Sequence, residues 1–140
     1  MSKTTLANGV NIDDLDAFSL AYLECALWST FTGAGDPLDE FYSITDIDAE
    51  SVNKMIEDCR NFQKDNAALL EKTYKTCKIA EGGNPQSHAG HDFWLTRNGH
   101  GCGFWDGDYP DGGEELTEIC KQKWPEQDLL EMNDESLRIE

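Results

Sequence analysis

The chain has 140 residues, 28 of them acidic and 11 basic, for a formal net charge of −17. That length suits one domain, and a chain of this size buries roughly 68–70% of its unfolded surface on folding, enough for a core without staples. The charge argues against a direct nucleic-acid binder or a protein held to an anionic membrane, because both begin with a basic footprint. Four Trp, four Tyr and six Phe are too much apolar surface to leave in water, which argues against a disordered chain.

Met1 to Asn11 carries one lysine and no apolar run, so it does not read as a signal peptide. Residues 1–10 are expected as a flexible leader before a single domain over 11–140. Ile12, Leu15, Phe18, Tyr22, Leu23, Ala26 and Leu27 then recur at helical spacing, with Asn11 or Asp13 as cap. Thr32 to Pro37 contains two glycines and a proline and breaks that helix. Leu38 to Ile47 reads as a short link. Val52, Met55, Ile56, Cys59 and Phe62 mark a second helix from about Ala49, capped by Thr45 or Asp48, with a bend near Asp65 and Asn66.

Gln86 to Gly90 reads as loop. Asp92 to Arg97 is rich in aromatic and branched residues, and Asn98-Gly99 follows it before His100 to Asp106. Asn-Gly between two such runs predicts a β-hairpin over about 92–106. Leu116, Ile119, Cys120 and Trp124 predict a third helix, capped by Asp111 and stopped by Pro125. Leu130 and Met132, then Leu137 and Ile139, alternate around Asn133 to Glu135 and predict a second hairpin over 129–139. The expected fold is α+β, with helices packed on a small antiparallel sheet built from these two hairpins.

The charge is uneven. Residues 1–50 carry ten acids against one lysine, residues 51–105 six acids against seven bases, and residues 106–140 twelve acids against three bases. The plainer reading is a solvated surface. The sharper one is an acidic face that copies the charge of a nucleic acid and enters a basic cleft on a partner. Asp106, Asp108, Asp111, Glu114 and Glu115 are the carboxylates that this reading singles out, with Trp94 and Trp105 as aromatic anchors.

His88, His91, Asp92 and His100 lie within thirteen residues. His and Asp in such a group suit a metal ion or acid–base chemistry. Their spacing is not that of H-E-x-x-H on a helix, and hydrogen bonding around the hairpin explains them more simply. Asp106 to Glu115 departs from the calcium-loop pattern. No phosphate loop, dinucleotide fingerprint or G-x-S-x-G occurs. His100 and Cys102, two apart on a strand, share a face without touching, a weak basis for a thiol nucleophile. Five cysteines, an odd number without C-x-x-C, fit reduced thiols in a cytosolic protein. The residues name no enzyme and call for no cofactor.

The segment Ala89-Gly-His-Asp-Phe-Trp-Leu-Thr-Arg-Asn-Gly-His-Gly-Cys-Gly-Phe-Trp-Asp106 resembles a motif of small uncharacterised proteins of tailed bacteriophages. Ala21 to Ser29, Asp58-Cys59 with Phe62, and Leu116 to Ile119 are similar to the rest of that pattern. Cys102 stands where alanine is usual and Gly107 where arginine is usual. The resemblance transfers no catalytic residue. It implies a phage protein acting in the host bacterial cytoplasm. Joined to the charge, it leads us to expect an accessory protein that binds a host defence or nucleic-acid-handling protein with a basic surface. The alternatives are a metal-binding module or metal-dependent enzyme using His88, His91, Asp92 and His100, and a virion or assembly component. An aromatic face also suits a homodimer.

Overall fold

The computed structural model describes residues 4–79, 83–99, 103–105 and 107–140. Five α-helices appear in chain order: α1 (Ala17–Trp28), α2 (Ala49–Asp65), α3 (Ala67–Thr76), α4 (Pro85–Arg97) and α5 (Gly113–Lys123). Two short strands, β1 (Leu129–Glu131) and β2 (Leu137–Ile139), close the chain as an antiparallel pair. The architecture is α+β, as expected. No described helix is long and apolar enough to cross a membrane.

Local chemistry sets most helix ends. A 3-10 turn over Ile12–Asp14 is capped by Asn11, and Leu15 and Asp16 are extended. Asp16 then caps α1, its carboxylate accepting from the Ser19 amide at 3.0 Å and from Gln63 at 2.8 Å. Burial pushes the Asp16 pKa up, but these hydrogen bonds outweigh it and hold the carboxyl below its ordinary value. Asp48 caps α2, and Asn66 marks the junction with α3. The stretch expected to precede the domain places Leu6 in the core and bridges Thr5 to Asn11.

Helix α4 is the main departure from expectation. The segment assigned to the first strand of a hairpin over 92–106 is helical to Arg97, and so is 86–90, which reads as loop. Asn84 caps the helix through the Gln86 and Ser87 amides, and Pro85 occupies its first turn. Asn98-Gly99 ends the helix instead of turning a hairpin. Gly99 takes a φ of +68°, and its amide donates to the Thr96 carbonyl. Asn-Gly suits both roles, because each needs positive φ. The helix also hides its own period. Ala89, Gly90 and residues 92–97 are all buried, the polar Asp92, Thr96 and Arg97 among them, so no amphipathic stripe marks the helix. The second half of the expected hairpin includes His100 to Cys102 and Asp106, which lie outside the described residues.

Helices α1 and α4 form the centre. Gly90 sits against the backbone of Phe18, where a Cβ would lie 2.0 Å from the Phe18 carbonyl oxygen. Around that contact Phe62 stacks on Phe93 at 4.1 Å between ring centroids, and Tyr22 meets Trp94 edge-on at 5.4 Å. Arg97, on the last turn of α4, is buried with Asp58 of α2 at 3.0 Å. It also donates to the Tyr22 hydroxyl and the Pro125 carbonyl. Burial lowers the guanidinium pKa, but Tyr22 and Asp58 outweigh it and hold it above its ordinary value. Helix α4 is thereby fastened to α1, α2 and the segment after α5 at once.

Helix α5 begins at Gly113 after Gly112, whose φ of +111° replaces a side-chain cap. Asp111 therefore does not cap it as expected. Its carbonyl accepts from the Thr73 hydroxyl at 2.8 Å, so it ties the loop to α3. The C-terminal hairpin forms where expected, with Glu135 at a φ of +66° in the turn. Leu129 and Leu137 are its buried positions; Leu130 is half-buried. The hairpin is pinned to the start of α2 by the Asp48 amide on the Leu137 carbonyl and the Ile139 amide on the Ser51 hydroxyl.

Gly90→Ala must push α1 from α4, and the expected loss is at least about 2 kcal/mol in denaturant unfolding. Asp16→Ala costs about 1 kcal/mol at neutral pH. Because the folded pKa is depressed, the charged cap's contribution is full above the unfolded value of 3.8 and is lost as pH falls through the lower, folded one. The difference between wild type and Asp16→Ala should shrink correspondingly in acid unfolding curves.

Candidate functional site

Two concave regions gather chemistry-bearing side chains. The first is a cleft of about 580 Å³ between α1, the start of α4 and the 3-10 turn Leu38–Glu40. Glu24, Cys25 and Trp28 reach it from α1, Asp39 from the 3-10 turn, and Asn84, Ser87, His88 and His91 from the α4 end. The helical spacing of His88, His91 and Asp92 places the three within one turn, and close α1–α4 packing sets them beside Trp28.

Asp92 stands behind the two histidines with only 2% of its side chain exposed. Its Oδ1 meets His91 Nδ1 at 3.0 Å, and its Oδ2 accepts the Tyr109 hydroxyl at 2.7 Å. His88 Nε2 lies 3.4 Å from the same Oδ2 and 3.2 Å from the Asp108 carboxylate. A buried carboxylate with these partners is satisfied and fixes the rings it touches. His91 lies against Trp28, with 5.7 Å between ring centroids. The sequence grouping of His88, His91 and Asp92 is thus real in space. The histidines converge on a carboxylate, and among the described residues no group of three or more His, Cys, Asp or Glu is arranged to hold a metal ion. His100, the fourth member, lies outside those residues.

Among the described residues the cleft holds one thiol, Cys25. Burial, with the Asp92 charge adding to it, pushes the Cys25 pKa up to about 12. Burial raises Cys59 and Cys120 as well, and the partly exposed Cys77. None of these four is set up as a thiolate nucleophile. The His100–Cys102 pair lies outside the described residues.

The second region, about 530 Å³, has four carboxylates on its walls: Asp36, Asp46, Glu131 and Glu135. Phe41 and Tyr42 share them, and the Tyr42 hydroxyl donates to Glu131. Phe41 is 64% exposed. These acids come from both acidic ends of the chain. The hairpin brings them together by bridging Leu137 to Ile47. No spacing rule links residues 36 and 46 to 131 and 135, so sequence reasoning misses this group.

The expected partner-binding residues fare unequally. Trp94 is no surface anchor: it is buried, and its indole N–H donates to the Ser29 hydroxyl at 2.9 Å. The reason is the helix, which turns this side chain onto α1. Trp105 is 41% exposed. It borders a further cleft of about 700 Å³ with Trp124 and Lys121. Asp111, Glu114 and Glu115 are exposed on the loop before α5 and its first turn. Asp108 is half-buried and engaged with His88. Asp106 lies outside the described residues. Trp28 and Phe31 are more exposed than Trp105, at 55% and 60%, and sit at and just beyond the end of α1. Both close an apolar helical stretch in sequence, and no sequence signal marks them as exposed.

The chain is thus a small α+β domain with an acidic, aromatic-bearing surface and a histidine–carboxylate cleft. No protein-family model matches it, and neither a curated protein nor a solved structure matches it significantly.

Raised thiol pKa values predict slow alkylation of the folded protein. At about pH 8, Cys25, Cys59 and Cys120 should react at least about tenfold more slowly than in the unfolded chain, with Cys77 first among the four. Peptide mass spectrometry after timed quenching reads the order directly.

Proposed function

We propose that this protein acts by binding a basic protein partner through its acidic, aromatic-bearing surface, and that it is a bacteriophage accessory protein directed at a host defence or nucleic-acid-handling protein in the bacterial cytoplasm. One observation carries the binding reading: Asp36, Asp46, Glu131 and Glu135, drawn from opposite ends of a chain of charge −17, surround the exposed Phe41. The phage origin and the host setting rest on the sequence resemblance alone, carried by residues 89–106 and, with them, Ala21 to Ser29, Asp58-Cys59 with Phe62, and Leu116 to Ile119.

The physics suits association. Long-range attraction from the net charge speeds encounter with a basic surface, and exposed aromatic rings supply apolar area once the surfaces meet. Carboxylates alone are solvated and contribute little at moderate salt. Aromatic rings among them give a surface that repels other acidic proteins and rewards a basic partner with an apolar rim. The exposed Asp111, Glu114 and Glu115 extend the negative field. A surface of this sign also repels nucleic acid, so a partner that handles nucleic acid would meet a competitor for its own basic cleft.

The test is capture of partners by the tagged protein from nuclease-treated host lysate, at salt near 0.1 M and near 0.5 M. The expected result is a stoichiometric partner with a basic surface, lost at the higher salt. Asp36→Asn with Glu135→Gln, and separately Phe41→Ala, should each weaken the purified complex about tenfold or more. Capture that ignores salt, or binding that survives both sets of substitutions and the loss of Asp111, Glu114 and Glu115, overturns the proposal.

A further inference from the structure

The cleft between α1 and α4 has a composition that fits one ligand chemistry. Its apolar wall is the Trp28 indole, 55% exposed, with His91 held against it at 5.7 Å. Glu24, one turn before Trp28 on α1, and Asp39, from the 3-10 turn, supply two carboxylates. Among the described residues no Lys or Arg lines the cleft, and the one thiol among them, Cys25, is neutral at ordinary pH. His91 is not free to swing away, because the buried Asp92 carboxylate holds its Nδ1 at 3.0 Å.

We infer that this cleft receives the guanidinium group of an arginine side chain presented by the basic partner. An indole face attracts a cation through its quadrupole, and the flat, weakly hydrated guanidinium stacks on it better than a compact ammonium does. Its N–H groups spread in the plane of the stack, so the same group can donate to carboxylates at the rim while lying on Trp28. The volume, about 580 Å³, admits a side chain of that length. The cleft also adjoins the proposed binding surface. Asp39 lines the cleft, and Phe41, two residues on, lines the acidic region. An arginine seated here would be the anchored point of a contact that continues over Phe41. The inference rests on the proposed binding function for its partner. The chemistry of the cleft can be tested without one.

The probe is N-acetyl-arginine N-methylamide, titrated into the full-length protein and followed by the tryptophan indole N–H signals and the backbone amides of Glu24, Asp39 and His91 in ¹H–¹⁵N spectra, the amides serving for Trp28→Ala. The expected result is a saturable shift centred on Trp28, with a Kd of about 1 mM, the range for one small ligand of this size. The matched lysine amide should bind several-fold more weakly, and the uncharged citrulline amide should show no saturation. Trp28→Ala, an exposed position whose loss spares the core, should abolish the binding. Glu24→Gln with Asp39→Asn should weaken it about tenfold. Absence of saturation, equal binding of the lysine or citrulline amide, or undiminished binding by either variant overturns the assignment. Saturable arginine binding with no partner captured from lysate supports the cleft and removes only the wider surface reading. A captured partner that binds Trp28→Ala as tightly as wild type keeps that surface and removes the arginine anchor.

Discussion

The approach of α4 to α1 at Gly90 is the constraint on which the rest of the molecule depends. With a Cβ at that position only 2.0 Å from the Phe18 carbonyl oxygen, the two backbones can meet this closely only because residue 90 has no side chain. The contact brings Phe93 against Phe18 and Tyr22, and Trp94 against Tyr22, in a cluster of rings at 5.2–5.9 Å. It also carries His91 across to Trp28. A wider helix pair would loosen the core and open the cleft together. Stability and the candidate site therefore share one packing solution.

The buried charged groups Asp58, Asp92 and Arg97 are all paired. Arg97 answers Asp58, Tyr22 and the Pro125 carbonyl, and Asp92 answers His91 and Tyr109. Both sets lie on α4, one at its end and one at its middle. A buried ion pair adds little net stability against apolar substitutes, but losing one partner leaves the other charge stranded. These contacts thus fix the rotation and depth of α4 more than they deepen its energy well. Rotation matters here, because a helix buried on nearly every side has no amphipathic stripe to orient it. The same rotation aims His88 and His91 at the cleft.

The acidic surface follows from a different contact. The C-terminal hairpin pairs with residues 47 and 48 ahead of α2, and so joins the two ends of the chain that hold most of its negative charge. Concentrating like charge destabilises a compact chain. Here the cost is met by a core of large aromatic side chains and by caps such as Asp16, Asp48 and Asp46 that place acids where backbone amides want them. Asp36, Glu131 and Glu135 line the region that holds the exposed Phe41.

Much was legible in the residues alone. Periodicity placed α2 and the body of α1, though α1 starts at the Asp16 cap and not at Asn11 or Asp13; Thr45 or Asp48 marked the start of α2, Pro125 the end of α5, and alternation around Asn133 to Glu135 the terminal hairpin, because local patterns with one buried face advertise their period. The nearness of His88, His91 and Asp92 was legible too, since one helical turn and a short loop both keep them together. Helix α4 was not, because all-round burial erased its stripe and Asn98-Gly99 serves a helix end as well as a hairpin. Trp94 left its expected place on the surface for the same reason: which face of an aromatic-rich helix is covered depends on what packs there. The grouping of Asp36 and Asp46 with Glu131 and Glu135, and of Glu24 and Asp39 beside Trp28, belonged to the tertiary structure alone. Net charge is a sum over residues that any fold preserves, whereas a binding face is a distance between residues that only folding sets.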